Sequence, residues 1–339
     1  MIASIRMLRT GVVAAALAAA PASALAQAVK LKLASFEPPQ APITGKVLTP
    51  WAQEVGKASG GALEIDVFAG GQLGRSPLQQ LKLVEDGIAD ITWTVPGYTP
   101  GRFEDVEVAE LPFLVETARE GSLAFSRMHA RGELAGFEKL KLLLIGTVPA
   151  NNIHATFAIG GIDDLKGKRI RTGSAQLAKL VESLGAAPVQ IGAPQVAESL
   201  AKGVIDGSLN EWNFVATFKL DQVATHHLAL PMGTVAVMVP MLQSKYDALP
   251  AAAKAALDKL SGEALAVRFA TVVDGANDAT RERVAKSARN KVITPSAAEA
   301  ERWREATRSI AEGWRKARPR NEGLYQSFVK EVAAVRAAR

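Results

Sequence analysis

The chain has 339 residues, of which 48% are hydrophobic and 22% charged, with a formal net charge of +6 at pH 7 and no cysteine. The lack of cysteine excludes disulfide bonds, thiol catalysis and a lipid anchor on an N-terminal cysteine. The basic residues are interspersed with acidic ones in helix-like stretches, so the charge is weak evidence for nucleic acid and we expect no nucleic-acid partner.

The first 26 residues have the features of a secretory signal peptide. Arg6 and Arg9 precede an apolar run at residues 11–20, and small residues at 24–26 form a cleavage site. A membrane anchor is the alternative, but the run is shorter than the roughly 18 residues that a membrane span needs. We therefore predict export to the periplasm with cleavage after Ala26. The mature chain has no second apolar stretch of spanning length, so we expect it not to be membrane-embedded.

Strand-like and helix-like segments alternate through the first two thirds of the chain. Alternating apolar residues predict strands at 31–35 and 63–68, with a helix from Trp51 between them that ends at Gly60. This β-α-β opening indicates a mainly parallel sheet. Further predicted strands cover residues 91–95, 142–148, 155–159, 169–172 and 188–191, and predicted helices cover 77–86, 175–184 and 195–202.

The last third of the chain has a more helical pattern. An apolar run at 234–240 predicts one more strand, and residues 251–291 are mostly typical of helix. Ser296 and Glu299 have the spacing of a capping box, which predicts a further helix after Pro295.

Three motifs stand out along the chain: GIADITWTVPGYTPGR at 87–102, DDLKGKRIRTG at 163–173 and GVIDGSLNEW at 203–212. Together they resemble the DctP-type solute-binding proteins of tripartite ATP-independent periplasmic (TRAP) transporters, from about Val29 to about Tyr325. The resemblance implies an α/β, two-lobed periplasmic binding protein of the type II kind. Its lobes would be discontinuous, with strands that cross between them and a long helix that spans both.

No Gly/Ser-rich or Pro-rich linker marks a boundary between the lobes. On the family pattern we assign residues 27–147 and about 236–250 to lobe I and residues 148–235 to lobe II. The remaining residues, 251–339, are expected to form the long helix and C-terminal helices that pack across both lobes.

Arg171 is the main candidate for ligand binding. It ends a predicted strand, and an arginine offers a planar fork that matches a carboxylate with two parallel hydrogen bonds. On spacing alone, a place in a basic surface run with Lys166, Lys168 and Arg169 is the favoured interpretation. The resemblance implies that the arginine of this motif grips the carboxylate of the substrate.

Aromatic and amide side chains are the other candidates. The resemblance places Asn210 where it can donate to the ligand, and an extended chain would put Trp212 and Phe214 on the same face as an aromatic wall. The other lobe supplies three further aromatic candidates, Phe36, Trp93 and Tyr98. Each of the aromatic residues has the core as its alternative location.

Two positions depart from sialic-acid-binding relatives. Asn151 stands where those relatives carry a second arginine, and Val95 stands where they carry a glutamate. We therefore expect a pocket with less charge, suited to one carboxylate on an apolar or aromatic body, because a second buried carboxylate without a cation is costly. Asn151 and His154 are candidates for hydrogen bonds to a 2-oxo or 2-hydroxy group, although His154 reads equally as a structural histidine.

Enzyme motifs are missing from the sequence. We find no nucleophile elbow, zinc-protease motif, phosphate loop or dinucleotide fingerprint, so we predict no catalytic residue and no cofactor. His226 and His227 point apart on either a helix or a strand, so we predict no metal site.

The resemblance implies a periplasmic protein that captures a small organic acid by hinge closure. It would deliver the acid to a TRAP membrane permease with a small and a large subunit. The alternatives are a binding protein of an ABC transporter or of a sensor kinase, which would share fold and ligand, and a periplasmic enzyme.

Overall fold

The computed structural model describes residues 28–338, so the predicted signal peptide lies outside the described residues. Within them, no helix is both long and apolar enough to cross a membrane. The described strands are, in chain order, β1 (Val29–Ala34), β2 (Leu63–Phe68), β3 (Ile91–Thr92), β4 (Leu140–Thr147), β5 (Asn152–Ala155), β6 (Arg169–Thr172), β7 (Ala187–Gln190), β8 (Gly207–Asn210), β9 (His226–Leu228), β10 (Ala236–Leu242) and β11 (Lys291–Ile293).

The first sheet has the strand order β2-β1-β3-β10-β4 and forms the centre of the first lobe. β1 runs parallel to β2 and β3, whereas β10 runs antiparallel to β3 and β4. Four of its five strands therefore run in the same direction, so the prediction of a mainly parallel sheet is confirmed, and β10 is the strand that brings the chain back from the second lobe in the opposite direction. Pro240 lies in β10 where the register shifts after Val239, an irregularity that accommodates a residue without an amide hydrogen.

The second sheet has the order β11-β9-β5-β8-β6-β7 and forms the centre of the second lobe. β6 has the bounds predicted from the sequence, whereas the strand predicted at 155–159 lies earlier, at Asn152–Ala155. β11 pairs parallel with β9, so a segment from the helical last third of the chain completes the sheet of the second lobe.

The described α-helices are α1 (Thr49–Ala58), α2 (Gln80–Glu85), α3 (Ala118–Ala130), α4 (Ala175–Ser183), α5 (Val196–Ala201), α6 (Trp212–Thr217), α7 (Gln243–Asp247), α8 (Ala251–Leu260), α9 (Glu263–Ala285), α10 (Ala297–Ala317) and α11 (Asn321–Ala337). The helical stretch predicted at 251–291 is interrupted at Gly262, whose φ of 62° lies in the left-handed region that favours glycine. The predicted start of α10 is confirmed, because the Ser296 hydroxyl accepts from the Glu299 amide.

Two chain segments cross between the sheets and run side by side. The Val148 amide donates to the Val235 carbonyl at 3.1 Å, and the Asn151 amide donates to the Gly233 carbonyl at 2.7 Å. Helix α9 contacts α3 in the first lobe and α6 in the second. Movement of one lobe relative to the other would therefore have to bend the crossing segments and helix α9.

Candidate ligand-binding cleft

A cavity lies between the two lobes, beside the crossing segments. Both lobes contribute side chains to it, from the ends of their strands and the turns that follow. The lining residues are Phe36, Glu37, Ile43, Trp93, Val95, Tyr98, Val148, Arg171, Gly173, Ala193, Asn210, Glu211, Phe214, Phe218, Val235 and Val237. Six of the nine residues singled out from the sequence belong to this lining, and Asn151, His154 and Trp212 do not.

Aromatic rings form two walls of the cavity. In the first lobe, Phe36 and Trp93 stack with their ring centroids 4.8 Å apart and their planes inclined by 25°. In the second lobe, the rings of Phe214 and Phe218 lie 4.5 Å apart. The Trp93 Nε1 atom is buried and has no hydrogen-bond partner in the described residues. The space between these walls suits a flat apolar group.

Arg171 is the cation of the cavity lining, and only 2% of the residue is exposed. Its Nε donates to the Ile191 carbonyl at 3.0 Å and its Nη2 to the Tyr98 hydroxyl at 3.5 Å, a contact that joins the two lobes. The guanidinium carbon lies 5.3 Å from the centre of the Phe214 ring. Among residues 28–338, no carboxylate oxygen lies within 4.0 Å of this guanidinium.

Arg169 has a different environment from Arg171, although both lie on β6. It is two residues before Arg171 on β6, yet its side chain is exposed and forms an ion pair with Asp206, at 2.8 Å between Nη2 and Oδ1. The structure therefore separates two arginines that spacing alone placed in one basic surface run.

Two buried carboxyl groups, Glu37 and Glu211, also line the cavity. They are 4% and 6% exposed. Burial, together with the nearby charge of Glu211, raises the pKa of Glu37 to about 8. Burial raises the pKa of Glu211 to about 7, although the surrounding amides and Arg171 lower it in part.

The sequence comparison did not anticipate these two carboxyls, which enter the lining from positions that it did not consider. Each directly follows a residue that was singled out, Phe36 or Asn210, at the end of a strand. A single glutamate beside apolar residues at the end of a strand is the sequence pattern that could have predicted Glu37 and Glu211.

His154 lies behind the cavity in a hydrogen-bonded network. Its Nδ1 lies 2.8 Å from Nδ1 of His227, and its Nε2 lies 3.0 Å from the Asn210 carbonyl oxygen. The Nε2 of His227 continues the network to Asn290 at 3.0 Å. Burial and the neighbouring His227 hold the pKa of His154 well below 6.5, so the ring is neutral and its nitrogens are occupied.

Trp212 also packs away from the cavity. Its ring meets that of His154 edge-on, with 4.8 Å between centroids. The condition for a shared aromatic wall, an extended segment, is not met because the chain turns into helix α6 at this residue, and the Trp212 amide donates to Asn277 on α9. Phe214 is one of the residues that this turn presents to the cavity instead.

Asn151 occupies the crossing segment, fully buried, outside the cavity lining. Its backbone is held by Gly233 and Met232, whereas neither polar atom of its side chain has a partner in the described residues. Within those residues, no group of three or more acidic or histidine side chains is arranged to hold a metal ion.

Comparisons with known proteins agree with this architecture. The family model DctP, described as bacterial extracellular solute-binding protein, family 7, matches residues 33–317. A marine metagenome TRAP solute-binding protein specific for aromatic acids, solved with 3-hydroxybenzoate, is 29% identical, with 91% of this chain and 99% of that chain covered and a TM-score of 0.86.

Two further solved structures are similar over the same part of the chain. A TRAP solute-binding protein from Rhodoferax ferrireducens, solved with copurified benzoate, is 28% identical with a TM-score of 0.85. One from Bordetella bronchiseptica, solved with (R)- and (S)-mandelate, is 26% identical with a TM-score of 0.81. Each alignment covers 91% of this chain and 99% of the other.

Proposed function

From the premise that the chain belongs to the DctP family of bacterial extracellular solute-binding proteins, we propose that it captures an aromatic monocarboxylate for a TRAP transporter. Proteins of this family are extracytoplasmic receptors that bind small organic acids and work with a membrane permease. On this proposal, the protein delivers its ligand to the small and large permease subunits from the periplasm.

The observation that carries the proposal is the state of Arg171. A buried guanidinium is strongly desolvated, and this one has two neutral acceptors but no carboxylate within 4.0 Å among the described residues. A ligand carboxylate would supply the missing negative charge and accept two parallel hydrogen bonds. Arg171 is thus proposed as the carboxylate anchor.

The aromatic walls support the second half of the proposal. Phe36 and Trp93 on one side, and Phe214 on the other, leave an apolar space that favours a ring over a second carboxylate. The relatives described above were solved with 3-hydroxybenzoate, benzoate and mandelate, which are acids of this kind. We propose the same class for this chain.

Hinge closure is the proposed capture step. Tyr98 reaches Arg171 across the cleft, and the Ser174 hydroxyl donates to the buried carboxyl of Glu110 in the other lobe. Closing around a ligand would bring these pairs together and exclude water, which strengthens the ion pair at Arg171.

Titration calorimetry and thermal shift test the proposal on the purified protein. We expect benzoate to raise the melting temperature, because a ligand that binds only the folded state stabilises it. Arg171→Ala should weaken benzoate binding at least about thirtyfold, or about 2 kcal/mol, through loss of the charge-assisted pair. Arg169→Ala is the matched control, because this exposed arginine lies on the same strand outside the cavity, and its affinity should stay within about twofold.

Two results would reject the proposal. One is unchanged affinity in Arg171→Ala. The other is a ligand panel in which only uncharged compounds raise the melting temperature, since an uncharged ligand forms no ion pair with the buried guanidinium.

A further inference from the structure

Glu37 and Glu211 approach the cavity from opposite lobes. Glu37 follows β1 in the first lobe, and Glu211 follows β8 in the second. Each influences the pKa of its neighbours in the cavity, since the charge of Glu211 raises the pKa of Glu37, and both raise that of Tyr98. The cavity therefore holds a pair of carboxyl groups in addition to Arg171.

These two carboxyls differ from Asp105 and Glu120, two buried acids of the described residues that have ion-pair partners, and resemble Glu110, which accepts a hydrogen bond from Ser174. Asp105 pairs with Arg318 and Arg320 at 2.7 and 3.0 Å, and Glu120 pairs with Arg336 at 2.9 Å. By contrast, no cationic nitrogen in residues 28–338 lies within 4.0 Å of Glu37 or Glu211.

The hydrogen bonds to Glu37 and Glu211 are also incomplete. Glu37 Oε2 accepts from the Thr44 hydroxyl at 3.5 Å, the limit of such a bond, while that hydroxyl lies 2.7 Å from the Ser35 hydroxyl. Glu211 lies near backbone amides at the start of α6 and the side chain of Asn213. A carboxyl group offers about four acceptor sites, so both groups keep the capacity to bind something in the cavity.

The charge states of Glu37 and Glu211 limit which ligand group the two carboxyls can bind. Two carboxylates that share a dry site cannot easily both ionise, and burial raises the pKa of Glu37 to about 8. At neutral pH Glu37 therefore holds a proton and can donate, while Glu211, with a pKa of about 7, is partly ionised and accepts. A hydroxyl group can accept from the first and donate to the second, whereas an ammonium group can only donate.

We infer that Glu37 and Glu211 form a second recognition point that binds a hydroxyl group on the ligand, so that the preferred substrates are hydroxylated aromatic monocarboxylates. This inference rests on the proposed function, in which Arg171 holds the carboxylate of the same molecule. Arg171 selects ligands that carry a carboxylate, and the two carboxyls select, among aromatic acids, those that carry a hydroxyl group.

Matched ligands test the inference by calorimetry at pH 7. Benzoate, 3-hydroxybenzoate, 4-hydroxybenzoate and 3-methylbenzoate share the carboxylate and the ring, and the methyl group is close in size to a hydroxyl without its hydrogen bonds. We expect one of the hydroxybenzoates to bind at least about tenfold tighter than both benzoate and 3-methylbenzoate, as hydrogen bonds to a charged group imply.

Variants of the two carboxyls assign the preference to them. In Glu37→Leu and Glu211→Leu, the hydroxybenzoate should lose that advantage and 3-methylbenzoate should gain, while benzoate still binds through Arg171. Replacement of a buried charge by an apolar side chain of similar volume often leaves a fold stable. Glu120→Gln is the control, because Glu120 is equally buried but pairs with Arg336 outside the cavity, and it should keep the preference.

The outcomes separate this inference from the proposed function. If all four acids bind with similar affinity, the hydroxyl site is wrong and the carboxylate site stands. If none binds, the proposed function fails and the inference fails with it. If 3-(aminomethyl)benzoate binds tighter than the hydroxybenzoates, the pair recognises an ammonium group and the inference is overturned. A preference that persists in both leucine variants would also overturn it.

Discussion

Two clusters of buried polar residues lie on either side of Asn210. The cavity cluster comprises Arg171, Glu37 and Glu211, and the histidine cluster comprises His154, His227 and Asn290. Both are almost fully buried. In the histidine cluster each ring nitrogen of His154 and His227 has a neighbour at 2.8–3.0 Å, whereas the charged groups of the cavity cluster lack ion-pair partners among the described residues.

This difference separates structural polar residues from candidates for binding. A buried network whose hydrogen bonds are complete stabilises one arrangement of the chain and leaves nothing to offer a ligand. A buried charge without a partner is stable only if the rest of the fold compensates, and it gains most when a partner arrives. Both clusters are buried, so burial alone does not separate them, and completeness of bonding is the useful criterion.

The largest effect should come from Trp212, which packs on the histidine cluster. Trp212→Ala should lower the free energy of unfolding by about 4 kcal/mol, because the change leaves a large cavity in the core. Urea unfolding measures this loss. Benzoate affinity, measured where the variant is folded, should change by less than about threefold.

Phe214→Ala is the matched variant on the cavity side, because Phe214 lines the cavity two residues further along α6. It should weaken benzoate binding more than Trp212→Ala and lower stability less. If Trp212→Ala abolished binding with near-normal stability, the assignment of this tryptophan to the structural side would be wrong.

A smaller loss should follow from breaking the histidine cluster itself. His154→Leu removes the partner of the His227 Nδ1 atom and the imidazole bond to the Asn210 carbonyl, so we expect a loss of about 2 kcal/mol in the free energy of unfolding. His226→Leu is the control, since this half-buried histidine bonds only its neighbour Thr225 and should cost less than about 0.5 kcal/mol. Equal losses in the two variants would contradict the structural role of the network.

The smallest effect, a dependence on pH, should have opposite signs in the two clusters. The folded state holds the proton of Glu37 from its ordinary pKa of 4.5 up to about 8, so the free energy of unfolding falls as pH rises through this range. The pKa values of His154 and His227 lie below 6.5 in the folded state, so their contribution is lost as pH falls below 6.5.

Unfolding of the unliganded protein by urea across pH 5 to 8 tests these signs. Glu37→Gln should reduce the decline between pH 5 and 8 by about 1 kcal/mol per pH unit. Part of the decline remains, because burial also raises the pKa of Glu110 to about 8. His154→Leu should flatten the acid side instead. If either variant flattened the slope assigned to the other residue, the substituted group would not be responsible for the pH dependence assigned to it.

Much of the local structure could be predicted because it depends on neighbouring residues. The bounds of β6 follow from a short apolar alternation, and the start of α10 follows from the hydroxyl of Ser296 reaching an amide three residues away. The family motif around Arg171 is likewise contiguous. These features need no knowledge of what packs against them.

The membership of the cavity could be predicted only in part. Phe36 and Asn210 are predicted from motifs at strand ends, but the adjacent Glu37 and Glu211 are not. Trp212 and His154, for which the sequence left both the cavity and the core open, lie outside the cavity lining. Which of two adjacent residues faces the cleft depends on how the chain turns after the strand. That turn is set by contacts with distant segments, as in the bond from the Trp212 amide to Asn277.

By itself, then, the sequence determined the α/β class and the family motifs, including the arginine that we propose as the carboxylate anchor, since these are encoded in residues close together along the chain. The tertiary structure decided the direction of β10, the break before α9 and the pairing of carboxyls from two lobes. The physical reason is that a cleft between lobes is made of side chains whose neighbours lie far away in sequence. Their burial and bonding exist only once both lobes are in place.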